Sequence, residues 1–258
     1  MRITTCFFVI VAVLGLIGPS TANADILQED FNGGIPPGRW NVINIGAAGA
    51  PWSVYAPDEA GRLRISKAAD DDSSTAATNL SGGITSSFYL DGNLSVFVDF
   101  QLLDFPLADG EGWNEAAIRL TGHNSGVAFY SLRFASNTSQ RAEGFSSLPP
   151  YVLGFVEDNT TAGRLGITRE GSTMKAWIDR GSGPVLLGSL TSPDLLGPMD
   201  VAIYAAQAVN YDVSPAARPH TALDVRFDNV DITADSIIPE PATLSLLVLG
   251  GLAMLRRR

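Results

Sequence analysis

The stretch "LSVFVDFQL", residues 94–102, decides the fold class. Leu94, Val96, Val98, Phe100 and Leu102 fall on one face of an extended chain, with Ser95, Asp99 and Gln101 on the other, because side chains alternate along a strand. A period of two marks a half-buried strand. "TMKAWID" (173–179) repeats the pattern with Met174, Ala176 and Ile178 on the apolar face. Further short runs, "RWNVINI" (39–45), "RLRIS" (62–66), "VAFYSLRF" (127–134), "RLGITRE" (164–170), "DVAIYAA" (200–206) and "LDVRFDNVDIT" (223–233), are separated by clusters of Gly, Pro, Asp, Asn and Ser. Glu170-Gly171-Ser172 between two of them reads as a tight hairpin. No stretch from 25 to 237 keeps a helical period, and no internal repeat is present. About a dozen strands in this arrangement predict an all-β, two-sheet antiparallel sandwich, or jelly roll.

Both ends of the chain differ from this core. "MRITTCFFVIVAVLGLIGPSTANA" (1–24) has Arg2, an apolar run from Phe7 to Ile17, a Gly18-Pro19 break and the small-residue site Ala22-Asn23-Ala24. That order predicts a signal peptide cleaved after Ala24. The sole cysteine, Cys6, leaves with it, so the exported domain is expected to hold neither a disulfide nor a thiol nucleophile. At the other end, Pro239-Glu240-Pro241 interrupts regular structure before an uncharged run, Thr243 to Leu255, and Arg256-Arg257-Arg258. A hydrophobic helix over 242–255 would rise roughly 20 Å, against a hydrocarbon core of about 30 Å. It spans only with the help of the triplet and snorkelling arginines, which the positive-inside rule keeps in the cytoplasm.

This tail resembles the PEP-CTERM sorting signal of Gram-negative bacteria, with triplet, apolar segment and arginine cluster in the same order. The resemblance implies recognition by an exosortase during export and transient residence in the inner membrane. Placement at the cell surface or in the extracellular matrix follows. The expected organisation is therefore a signal peptide (1–24), a β-sandwich domain (25–236) and a sorting and transmembrane segment (237–258).

The chain carries a formal net charge of −10. Its two ends hold four of the arginines and one of the acidic residues, so the core is more acidic still. Such a surface repels nucleic acid and anionic lipid heads and suits cations, neutral sugars or basic partners.

The core also resembles a family. "EDFNGGIPPGRWNV" (29–42), "GRLRIS" (61–66), "SVFVDFQL" (95–102), "LGITREGSTMKAWID" (165–179) and "VRFDNVDI" (225–232) follow one another as in concanavalin A-like, laminin G-like sandwich domains. The resemblance implies first and last strands lying side by side. It also implies a carbohydrate-binding or adhesive module, a glycosidase, or a scaffold carrying calcium.

Retaining glycosidases of this fold carry a Glu-x-Asp-x-Glu type signature on one strand, since period-two spacing puts the carboxylates on one face. No Glu here is followed two places later by Asp. Glu111 and Glu115 flank Gly112-Trp113 in a glycine-rich stretch that reads as a solvated loop. His123 and His220 sit in turn-like segments without metal-ligand spacing, and no nucleophile elbow or phosphate loop is present. For calcium, Asp70-Asp71-Asp72 and the pair Asp30 and Asp228 are candidates, weighed against a solvated loop for the first and turn capping for the second. For sugars, Trp177 lies on the strand face opposite Met174, Ala176 and Ile178, and Tyr204 opposite Val201 and Ile203, where flat rings can stack on a pyranose.

These readings lead to an expected exported, non-catalytic matrix or envelope component that binds polysaccharide. The alternative is a glycoside hydrolase or lyase acting on exopolysaccharide. Two carboxylates converging in a groove, about 5 to 9 Å apart, would mark the alternative.

Overall fold

The computed structural model describes residues 24–45, 52–69, 79–109, 111–209 and 219–240. Nearly all of the expected signal peptide, the Asp70-Asp71-Asp72 cluster, and the tail from Pro241 lie outside the described residues. Within them the chain forms fifteen strands, numbered here in chain order, and a single 3-10 turn at Pro193–Leu195. The all-β, antiparallel two-sheet sandwich is as expected.

The first sheet runs β2 (Trp40–Ile45), β5 (Asn79–Ser86), β14 (Met199–Ala208), β7 (Trp113–Gly122), β8 (Ala128–Ala135), β9 (Gln140–Ser146) and β10 (Val152–Glu157). The second runs β3 (Ser53–Tyr55), β4 (Leu63–Lys67), β15 (Leu223–Pro239), β6 (Phe88–Asp104), β11 (Ala162–Glu170), β12 (Thr173–Asp179) and β13 (Pro184–Thr191). β1 (Asp25–Glu29) pairs with β15, so first and last strands lie side by side. One ladder contact, Met199 opposite Leu90, joins the two sheets.

The core follows from the alternation. Val96 and Val98 of β6, Leu165 and Ile167 of β11 and Ile178 of β12 point from the second sheet onto Ile118 and Leu120 of β7 and Phe129 of β8, all fully buried. Each such side chain contributes roughly 1.5–3 kcal/mol by leaving water. The sheets also meet through a polar link, Ser131 Oγ donating to the Trp177 carbonyl at 2.8 Å. Arg133 of β8 points the same way and forms a buried ion pair with Asp158, its Nη2 also donating to the Asp158 carbonyl at 2.7 Å.

β15 continues past residue 236, where the sandwich was expected to stop. Ile237, Ile238 and Pro239 pair with Leu90, Tyr89 and Phe88, and the Glu240 amide donates to the Ser87 carbonyl at 3.2 Å. Pro239 takes the last strand position, where its missing N–H breaks no ladder. No helix among the described residues is long and apolar enough to cross a membrane; the apolar run 242–255 is outside them.

Candidate active site

The first sheet has a second populated face, turned away from the core. Its middle is built from small residues, Ala117 of β7 and Ala202 and Ala206 of β14, which leave a trough between bulkier neighbours. Tyr204 of β14 lies in this trough opposite Ala117 on one side and Gly83 of β5 on the other. A Cβ at Gly83 would stand 2.6 Å from that of Tyr204, so glycine makes the room for the ring. Aromatic rings form one wall: Trp113 stacks on Phe134 at 6.0 Å, and Phe145 meets Tyr130 edge-on at 5.4 Å. Together they enclose a cleft of about 500 Å³.

Two glutamates line it. Glu115 is on β7, not in a loop, and is 9% exposed, which corrects the solvated-loop reading. Its strand is held by Asn114, which points the other way: Asn114 Nδ2 donates to the Pro106 carbonyl at 3.1 Å, and its Oδ1 accepts from Gln207 Nε2 at 3.0 Å. Trp113 Nε1 donates to Glu115 Oε2 at 3.2 Å, and the neighbouring Tyr204 hydroxyl favours the ionised form of the same carboxyl. Burial pushes the Glu115 carboxyl above the ordinary glutamate range despite these donors. Glu111, the other member of the sequence pair, is exposed at the rim.

Glu143 of β9 is the second carboxylate, 3% exposed. Arg141 grips it from the same strand, Nε and Nη2 each 2.7 Å from Oε2. Burial again raises its pKa, with Arg141 opposing. The ladder fixes how the two glutamates stand: Glu115 is opposite Phe134, and Phe134 is opposite Arg141, two residues before Glu143. Two strand spacings of about 4.8 Å and a two-residue offset put the Cα atoms roughly 12 Å apart. Both side chains line the same cleft, and the Glu143 charge is felt at Glu115.

The remaining sequence candidates fall elsewhere. Tyr204, one of the two expected sugar contacts, is on the cleft floor, its phenol pushed well above its ordinary pKa by burial and by Glu115. Trp177 is half-buried on the outer face of the second sheet, Nε1 donating to Thr168 Oγ1 at 3.0 Å. Across that face it lies beside Gly166, which in turn lies beside Phe97. Asp30 Oδ1 accepts from the Asn32 amide at 3.1 Å, a turn cap. Asp228 accepts from the Asn229 amide at 2.9 Å and faces Arg62 Nε at 3.5 Å. Calcium takes six to eight oxygens. These two carboxylates, one already facing a guanidinium, do not supply such a set, and no group of three or more His, Cys, Asp or Glu among the described residues is arranged to hold a metal.

Sequence reasoning missed Glu143, Arg141 and Arg119. On β9, Arg141, Glu143 and Phe145 alternate with Ala142, Gly144 and Ser146, so the core side carries no large apolar residue to announce a strand. The reason is steric: a Cβ at Gly144 would lie 3.0 Å from that of Ala176 on the facing sheet.

No family model matches the sequence, and no curated protein matches it. Among solved structures, the catalytic domain of an endo-1,3-β-glucanase (laminarinase) from Thermotoga petrophila RKU-1 shares the fold with a TM-score of 0.59, at 12% identity over 83% of this chain and 99% of that one. The fold is the concanavalin A-like jelly roll. A laminarinase from Flavobacterium sp. UMI-01 (TM-score 0.55, 13% identity, 80% of this chain and 98% of that one) and a β-glucanase from Bacillus licheniformis (0.53, 13%, 80% and 97%) have the same architecture. The expectation of a non-catalytic matrix or envelope component is thereby corrected. Several of the structures that share this fold over most of the chain are endo-β-glucanases, and this chain buries two carboxylates in one cleft.

Proposed function

We propose that the protein is a glycoside hydrolase acting on polysaccharide in the cleft of the first sheet. The observation that carries this is the pair Glu115 and Glu143, both buried, both facing an aromatic-lined cleft, in unlike surroundings. Glycoside hydrolysis needs one carboxyl that holds a proton and one that is ionised. Glu115, deeply buried and without a guanidinium in contact among the described residues, is the general acid that protonates the leaving oxygen. Glu143, clamped by Arg141, is the ionised partner that activates water or attacks the sugar. Trp113, Phe134 and Tyr130 give the apolar faces that pyranose rings stack on.

A hydrolase fits better than a lyase. A lyase would need a base near neutrality to take a proton from the sugar ring, and Tyr204 is held protonated far above that range. Endo-β-glucanase, the activity named for the fold neighbours, supplies the first substrate panel. Release of reducing ends from laminarin, mixed-linkage glucan and bacterial exopolysaccharides, lost in Glu115→Gln and Glu143→Gln, tests the proposal.

Further readings belong to the same proposal. The order of charge and apolarity at both ends supports export with cleavage at Ala22-Asn23-Ala24, and sorting through Pro239-Glu240-Pro241 and the closing arginines by an exosortase, with the enzyme at the cell surface or in the matrix. Trp177, remote from the cleft, is proposed as a second contact for long glycans.

A further inference from the structure

Every other charged side chain lining the cleft floor has a partner or a role, but Arg119 does not. It lies on β7, four residues beyond Glu115 and on the same face, since Glu115, Ala117 and Arg119 alternate with the core residues Ala116, Ile118 and Leu120. Its guanidinium sits 5.6 Å over the Tyr204 ring. Among the described residues it forms no ion pair, and its Nε is buried without a hydrogen-bond acceptor. Asp200 of β14 faces the same side and feels its charge, as Glu115 does, but neither stands within ion-pair distance of it. A buried guanidinium N–H left unmade is costly, and a cationic group kept in that state beside a cleft wants an anionic acceptor.

The charge balance of the floor points the same way. Arg141 and Glu143 pair with each other, which leaves the Arg119 guanidinium as the cation on the floor without an ion-pair partner among the described residues, in a chain of net charge −10. Glu111 adds its negative charge only at the exposed rim. A neutral glucan would leave this cation with hydroxyls alone. A uronic acid offers a planar carboxylate that a guanidinium binds through two parallel hydrogen bonds.

Resting on the hydrolase reading, we infer that the substrate is an acidic polysaccharide, and that Arg119 binds the carboxylate of a uronic acid unit at the subsite next to the bond cleaved at Glu115. Tyr204 lies between the two functions: its ring is under the Arg119 guanidinium, and it lines the cleft beside Glu115.

The test compares two hexasaccharides that differ only in the carboxylate: β-1,4-linked hexaglucuronate and its carboxyl-reduced counterpart, cellohexaose. Binding is measured by calorimetry on the full chain carrying Glu115→Gln, so that no turnover intervenes. The uronate is expected to bind about ten- to hundredfold more tightly than the neutral ligand, the scale of one charge-assisted pair. That preference is expected to shrink with added salt. Adding Arg119→Gln should abolish the preference, and Arg119→Lys should restore part of it. Equal or tighter binding of cellohexaose, a preference that survives Arg119→Gln, or no binding of either ligand overturns the inference. Turnover of a neutral glucan without any uronate preference would overturn it while leaving the hydrolase reading intact. A uronate preference lost in Arg119→Gln, in a protein that cleaves nothing, would uphold the subsite and sink the hydrolase reading.

Discussion

Trp113 Nε1 donates to Glu115 Oε2 at 3.2 Å, two residues apart on one strand and on one face. This bond favours the ionised carboxylate and so opposes the burial that raises the Glu115 pKa. Trp113→Phe keeps a ring against Phe134 and removes the donor. The alkaline limb of the kcat/KM profile reports the acid, and it should move to higher pH in this variant. An unmoved limb, or one displaced to lower pH, would remove Glu115 from the acid role.

Stability should answer to the same two glutamates in the opposite sense from most carboxylates. Burial raises Glu115 and Glu143 above the ordinary value of 4.5, so the folded chain holds these protons more tightly than the unfolded chain. Their contribution is fully present below that value and is lost as pH rises through the folded pKa. Glu115→Gln should therefore raise the melting temperature at pH 7, by about 2–4 °C for each kcal/mol recovered, and lose the gain at pH 4. A melting temperature lowered at pH 7 would contradict the burial argument.

Beneath the cleft, Arg133 and Asp158 form an ion pair whose side chains are 0% and 1% exposed. Asp158→Ala strands a guanidinium in the core and should cost about 3–5 kcal/mol in denaturant unfolding. Arg133→Met combined with Asp158→Leu should recover most of that loss, because the desolvation of both charges disappears together. A single variant as stable as the parent would mean that water already reaches the pair.

Trp177 is separated from the cleft by the whole thickness of the sandwich. Trp177→Ala should weaken binding of long polysaccharide by roughly 1 to 3 kcal/mol while leaving turnover of short oligosaccharides and the melting transition unchanged. Equal loss on short and long substrates would point to damage of the fold through its Thr168 bond.

The sequence made the second sheet legible, because β6, β11 and β12 alternate large apolar residues with polar ones. Much of the first sheet was not. β5 reads "NLSGGITS" and β9 "QRAEGFS", and their core sides carry Gly, Ala and Ser where the sheets approach closely. Tyr204 was placed on the correct strand face from Val201 and Ile203, but nothing in its own strand told that the face forms a cleft. Glu115 reads as a loop residue because Gly112 and Trp113 beside it are typical of loops. The strand reaches back to Trp113 through its ladder with β14, where Asn114 lies opposite Gln207 and their side chains hydrogen-bond, a contact between residues 93 positions apart. Glu143 became visible only when β8 brought β7 and β9 into one sheet.

The central claim is that Glu115 and Glu143 cleave a glycosidic bond. Its most direct test is the release of reducing ends by residues 25–240, from neutral and uronate-containing polysaccharides, beside Glu115→Gln and Glu143→Gln proteins of equal folding by circular dichroism. Turnover by the parent, reduced at least about 100-fold in each variant, is the expected result. No release from any substrate by the folded parent, or turnover undiminished in both variants, would contradict it.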